Sequence, residues 1–125
     1  MTSRILLVED DADIRESIKD VLEDEGYVVA EAGNGVEALD RLRTDALPDL
    51  ILLDLMMPVM NGLQFHQELV KDAAWRAIPI VVLSADADAR NKAAAMKALD
   101  VIEKPVELER LFQTVARATA LSTSP

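Results

Sequence analysis

No cysteine occurs among the 125 residues. That excludes disulfides, thiolate metal sites and cysteine nucleophiles, and it agrees with a cytoplasmic location. Aromatic side chains make up 3% of the chain, so stacking platforms for bases are missing. Cations are outnumbered: 13 Lys and Arg face 23 Asp and Glu, for a net charge of −10 and a pI near 4.4. Such a surface repels nucleic acid, which argues against direct binding of DNA or RNA. No apolar run approaches the roughly 20 residues of a membrane helix. The start, Met1-Thr-Ser-Arg4, leads straight into a strand pattern, with no signal peptide apparent. What is present is enough for a packed core. Apolar residues reach 50% and charged ones 29%, and the length fits one domain spanning 1–125.

The chain is organised around Leu50-Ile-Leu-Leu-Asp54-Leu-Met-Met-Pro58-Val-Met-Asn-Gly62. Four consecutive apolar residues running into an aspartate read as a strand buried on both faces, with Asp54 at its carboxyl end. Pro58 blocks further pairing, and Asn61-Gly62 reads as a turn. Arg4-Ile-Leu-Leu-Val8 is a similar first strand, followed by a helix that Asp11 or Asp13 can cap. In that helix Ile14, Ile18, Val21 and Leu22 share one face, and Gly26 ends it. Tyr27 to Ala30 is a second strand, Asn34-Gly35 a turn, and Val36, Leu39 and Leu42 mark a second helix. A third helix covers Gly62 to Lys71, and Trp75 falls in the loop after it as a packing anchor. Ile80 to Leu83 is a fourth strand ending at Ser84, and Asp86 to Ala98 is an alanine-rich fourth helix. Val101-Ile102 is a short fifth strand, and Leu108, Leu111, Phe112, Val115 and Ala116 stripe a fifth helix. The ordered core should span about residues 4–120, with residues 121–125 a frayed tail.

Strict alternation of strand and helix, five times over, predicts an α/β fold. Parallel strands need crossovers, and right-handed crossovers place helices on both faces of a doubly wound five-stranded sheet. The strand ends then gather on one edge, where open α/β sheets hold their ligands. Glu9 and Asp10 end the first strand, Asp54 the third, Ser84 the fourth and Lys104 the fifth. Two unit charges about 5 Å apart at an effective dielectric near 20 repel by roughly 3 kcal/mol. Three acids opposed by one lysine therefore call for a further positive charge, and oxygen donors of this kind suit Mg²⁺. A metal beside a carboxylate, a hydroxyl and an ammonium suits phosphoryl chemistry. Asp54 can attack phosphorus as a carboxylate nucleophile, with Lys104 and the Ser84 hydroxyl stabilising the equatorial oxygens.

These residues resemble the receiver domains of two-component response regulators. The matching pieces are Ile5-Leu-Leu-Val-Glu-Asp-Asp11, Asp54 with Met57-Pro58 and Asn61-Gly62, Ser84-Ala85, and Lys104-Pro105, and together they cover nearly the whole chain. The resemblance implies a flavodoxin-like receiver fold with five helices and strand order 2-1-3-4-5, an order for which a receiver protein is itself a standard example. It implies that Asp54 is the phosphoacceptor, Ser84 the hydroxyl switch and Lys104 the phosphoryl contact. Asp10 would ligate the metal directly, Glu9 through water and Met56 through its backbone carbonyl. The implied cofactor is Mg²⁺, and the donor is a histidine kinase or a histidine phosphotransfer protein. Phosphorylation would switch the face built from the fourth helix, fifth strand and fifth helix toward a downstream target protein, and slow self-dephosphorylation would reset it. The Lys104-Pro105 bond is expected to be cis.

Two departures from the family pattern carry expectations of their own. Val101 stands three residues before the lysine, where receivers often carry an aromatic. The stretch from Ser84 to Lys104 is short and lacks the usual Gly-Ala before the fifth strand, so the fourth helix or its flanking loops should be truncated or displaced. A dehalogenase-type phosphatase would need a second acid two residues after the nucleophile, where Met56 stands. A flavodoxin-like cofactor module would need Ser, Thr or Gly where Glu9-Asp10-Asp11 would repel a phosphate. His66, the sole histidine, reads as an ordinary surface or partly packed side chain. Met56, Met57 and Met60 read as loop and core filler, since thioethers prefer soft metals. The sequence fits either a stand-alone receiver or a fragment of a longer regulator.

Overall fold

A strand covered on both faces calls for apolar side chains along its length, and Leu50 to Leu53 and Ile80 to Leu83 supply them. In the computed structural model, which describes residues 2–123 and side chains through residue 120, five parallel strands form one sheet. They are β1 (Arg4–Val8), β2 (Val28–Ala32), β3 (Leu50–Asp54), β4 (Ile80–Ser84) and β5 (Asp100–Glu103), in the order β2-β1-β3-β4-β5. Every residue of β3 and β4 is buried. The expected fold class and strand order are both present.

Helices cover both faces. On one side α1 (Ala12–Asp24) and α6 (Leu108–Thr123) bury Ile18, Leu22, Leu111 and Val115 against Ile5, Leu7, Leu52 and Leu83. On the other side α2 (Gly35–Thr44), α3 (Gly62–Leu69) and α5 (Ala89–Ala95) pack Leu39, Phe65, Leu69 and Ala93 against Leu6, Leu53 and Val82. Alternate side chains of one strand thus feed two separate cores, as a doubly wound sheet requires.

Several boundaries differ from those read in the sequence. Strand β2 starts at Val28 and reaches Ala32, because Val28 to Ala32 pair in register with Arg4 to Val8. Asn34 is a helix cap rather than a turn residue: its side chain accepts from the Glu37 amide, and Gly35 begins α2. Helix α3 stops at Leu69, two residues before the expected Lys71. Trp75 lies within a four-residue helical turn, α4 (Ala73–Arg76), and not in a plain loop. The Asp72 carboxylate caps it by accepting from the Ala74 and Trp75 amides. Trp75 does pack on the core, as expected. Helix α5 has seven residues and no side-chain cap hydrogen bond, so the shortening anticipated in this region is present. The backbone of α6 is helical through Thr123. The expectation for Ser124 and Pro125 lies outside the described residues.

Candidate functional site

Neighbouring parallel strands β1 and β3 end together. Val8 pairs with Leu53, so the residues that follow each, Glu9 and Asp54, are side by side at the carboxyl edge. Glu9 is fully buried, Asp54 is 3% exposed, and Asp10 next to them is exposed. One carboxylate oxygen from each of Glu9, Asp10 and Asp54 lies within 4.8 Å of the others. Lys104 reaches this cluster from the end of β5, beyond β4. Its Nζ lies 2.5 Å from Glu9 Oε1 and 3.0 Å from Asp54 Oδ2. Its backbone N–H donates to the Ser84 carbonyl at 3.0 Å, which ties the end of β5 to β4. The Lys104-Pro105 bond is cis, as expected.

Burial and charge act on Glu9 in the same direction. Desolvation, a hydrogen bond with Asp54 and the charge of Asp54 push its carboxyl up to about 7, against the opposing pull of Lys104 and the Asp11 amide. Burial would lower the Lys104 ammonium, but hydrogen bonds and charge from Glu9 and Asp54 outweigh it and hold the group above its ordinary value. The site is therefore acidic, partly dry and short of positive charge. All three acids offer hard oxygen donors, which suits a divalent cation such as Mg²⁺ better than a soft metal.

Ser84 closes the site on the β4 side. It is 1% exposed, and its Oγ accepts from the Asp86 amide at 3.0 Å. Val101 is 6% exposed and does not fill the space beside Ser84. A cavity of about 170 Å³ remains there, lined by Ser84, Ala85, Val101 and Lys104 among others. Met56 turns its side chain to solvent, 63% exposed, while its N–H donates to Asp54 Oδ1 at 3.1 Å. His66 lies away from the acids, beside Pro79 and Ile80 where β4 begins; burial lowers its imidazole below the ordinary range.

Two supporting residues, Arg15 and Asp100, escaped the sequence reading, and two that it named, Asp11 as a helix cap and Gly62 as a turn residue, also support the site. Arg15 Nη1 donates to the Glu9 carbonyl at 2.7 Å, and the Asp11 amide donates to Glu9 Oε2 at 3.2 Å, so two groups fix Glu9 from the start of α1. Asp11 also caps α1 by accepting from the Asp13 and Ile14 amides. A Cβ on Gly62 would lie 2.8 Å from the Asp54 carbonyl oxygen, so α3 starts directly against the backbone of the central acid. Asp100 anchors the start of β5, accepting from Arg110 at 3.1 Å and Arg117 at 2.6 Å. The acid before α1 and the glycine opening α3 were signals available in the sequence; the distant arginine contacts left none.

Comparison with known proteins is consistent with this geometry. A family profile for the response regulator receiver domain matches residues 5–116. The phosphate regulon transcriptional regulatory protein PhoB of Klebsiella pneumoniae is 41% identical over 97% of this chain and 52% of its own length. Response regulator MprA of Mycobacterium bovis is 39% identical over the full chain and 54% of its own length. The chain thus spans about half the length of these curated relatives. Among solved structures, the chemotaxis response regulator CheY4 of Vibrio cholerae superposes with a TM-score of 0.86 at 30% identity, covering 94% of this chain and 99% of that one. A response regulator of Chloroflexus aurantiacus superposes with a TM-score of 0.89 at 28% identity, covering 96% and 99%.

Proposed function

Because the chain belongs to the response regulator receiver domain family, we propose that Asp54 accepts a phosphoryl group from a phosphohistidine of a histidine kinase or phosphotransfer protein. The observation that carries this reading is the placement of Lys104 Nζ against both Glu9 and Asp54 at the carboxyl edge of the sheet. In the transfer, an Asp54 carboxylate oxygen forms a bond to phosphorus and the phosphorus–nitrogen bond breaks. The electron pair leaves with the donor imidazole, which takes up a proton. Lys104 offsets charge on the transferred oxygens, and the Ser84 hydroxyl turns from the Asp86 amide to donate to one of them.

The acids fit a magnesium ion. Asp10 and Asp54 would hold it directly, Glu9 through water and Met56 through its carbonyl. When bound, Mg²⁺ would supply positive charge to the phosphoryl oxygens. The phosphorylated domain then shifts its population toward a conformation displayed on α5, β5 and α6, where a downstream target protein reads it. Slow hydrolysis of the acyl phosphate resets the domain. The chain as a whole, residues 1–125, acts as a single receiver unit.

Intact-mass measurement before and after acetyl phosphate, with and without Mg²⁺, tests this reading. The protein should gain one phosphoryl group, and Asp54→Asn should not. Undiminished labelling of that variant would remove Asp54 as acceptor.

A further inference from the structure

A groove of about 450 Å³ opens where β4 begins, at the end of the sheet away from the acids. Its walls come from α3, α4 and α5. Leu69 and Ile78 line it and are buried, while Leu99 at its rim is 40% exposed. The partly buried His66 ring meets the Met96 backbone, which links α3 to α5 along one wall. The remaining charged lining residues are Arg76 and Lys97, both exposed, and no Asp or Glu lines the groove. The local sign is thus opposite to that of the chain, whose net charge is −10.

Those two cations stand apart from the others. Ten of the 13 Lys and Arg side chains form ion pairs, as expected where 23 acids are on offer. Arg4, Arg76 and Lys97 form none among the described residues, and two of these three line the same groove. Arg76 Nη1 makes one long contact, 3.5 Å from the Val70 carbonyl, which leaves the rest of its planar fork for another acceptor. Lys97 has a φ of 56°, in the left-handed region. It ends α5 in a Schellman turn: the Ala98 amide donates to the Ala93 carbonyl at 2.9 Å and the Lys97 amide to the Ala94 carbonyl at 3.0 Å. Glycine is the usual residue at that position and sits there without strain. What lysine adds is an ammonium at the edge of an apolar groove.

We propose that this groove binds a small amphipathic carboxylate, with its head against Arg76 and Lys97 and its apolar body over Leu69, Ile78 and Leu99. The volume lies in the range of about 300–1,000 Å³ common to small-molecule sites. A guanidinium fork matches the two oxygens of a carboxylate, and a nearby ammonium adds charge without demanding a fixed geometry. The site shares no residue with the acidic pocket, so it stands independently of the phosphoacceptor reading.

Titration of the full chain with octanoate, followed by amide NMR shifts, tests the proposal. Octanamide, with the same body and no charge, and acetate, with the head alone, are the comparison probes. Octanoate should saturate with a Kd on the order of 1 mM or below and move the amides of Leu69, Ile78 and Leu99. Octanamide and acetate should each bind at least about fivefold more weakly. Arg76→Gln and Lys97→Gly should each weaken octanoate about threefold to fivefold, as for loss of one solvent-exposed ion pair. Lys97→Gly should keep its melting temperature, because glycine suits the left-handed turn. Octanamide binding as well as octanoate, unchanged affinity in both variants, or shifts confined to other parts of the chain would each overturn the proposal. Shifts that follow protein concentration and not octanoate would assign the groove to a second copy of the chain and overturn it as well.

Discussion

The ammonium of Lys104 lies 2.5 Å from Oε1 of Glu9, a residue 95 positions earlier in the chain, and 3.0 Å from Asp54. Its side chain is 16% exposed, against 1% for Glu9 and 4% for Asp54, so this cation is the main counterweight to two buried acids. Removing one partner of a buried pair leaves an uncompensated charge, which partial protonation of Glu9 would soften. Lys104→Met should therefore destabilise the metal-free protein by about 2 kcal/mol. Mg²⁺ should recover part of that loss and raise the variant's stability more than the wild type's. Urea denaturation with and without Mg²⁺ measures both; equal responses to the ion would show that it does not share the acids with Lys104.

Gly62 and Gly35 should respond differently to the same substitution. An added methyl at Gly62 meets backbone: the Asp54 carbonyl oxygen at 2.8 Å and Leu55 Cα at 2.9 Å. At Gly35 the atoms met belong to the Met60 side chain: rotation can move Cγ and Sδ aside, but Cβ, at 2.9 Å, moves only with the backbone. Gly62→Ala is expected to cost about 2 kcal/mol through overpacking and to slow labelling of Asp54. Gly35→Ala is expected to cost about 1 kcal/mol, less than Gly62→Ala because two of the three contacts yield to rotation of Met60 and alanine has the better helix propensity. Thermal melts and acetyl phosphate labelling of the two variants separate these outcomes.

Asp100 supplies a pH dependence with a definite sign. Burial would raise its carboxyl, but the Val101 amide, Arg110 and Arg117 outweigh that and hold it below its ordinary value of 3.8. A depressed acid stabilises the fold fully above the ordinary value and loses that contribution as pH falls through the folded value. Asp100→Asn should lower stability by about 1 kcal/mol at neutral pH, a modest figure because the pair is partly open to solvent. The gap between wild type and variant should close as pH drops below 3.8. Melting curves from neutral to acid pH check it, and a gap that widened on acidification would contradict the ion-pair account.

Much of this arrangement is legible in the residues themselves. Runs such as Leu50 to Leu53 are apolar at every position, which a strand covered on both faces demands, and the acids follow those runs without a spacer. Strand ends of a parallel sheet share an edge, so Glu9, Asp10, Asp54, Ser84 and Lys104 come together once the topology is known. Local signals were less decisive. Asn34-Gly35 carries the chemistry of a turn and of a helix cap alike, and the neighbouring Met60 carbonyl, which accepts from the Gly35 amide, comes from elsewhere in the chain. The four residues of α4 hold too few hydrogen bonds to leave a periodic pattern, and its cap, Asp72, resembles any other loop acid. Contacts between distant side chains, such as Arg15 with the Glu9 carbonyl or Asp100 with Arg117, have no local trace.

The order of strands has a consequence for the newborn chain. Strands β1 and β3, which carry the acids, are neighbours at the middle of the sheet, while β5, which brings the cation, is an edge strand and the last to be synthesised. A polypeptide halted after β4 therefore holds the whole anionic half of the pocket and none of its intrinsic neutraliser. The pocket acquires its ammonium only when β5 pairs with β4 and completes the edge of the sheet.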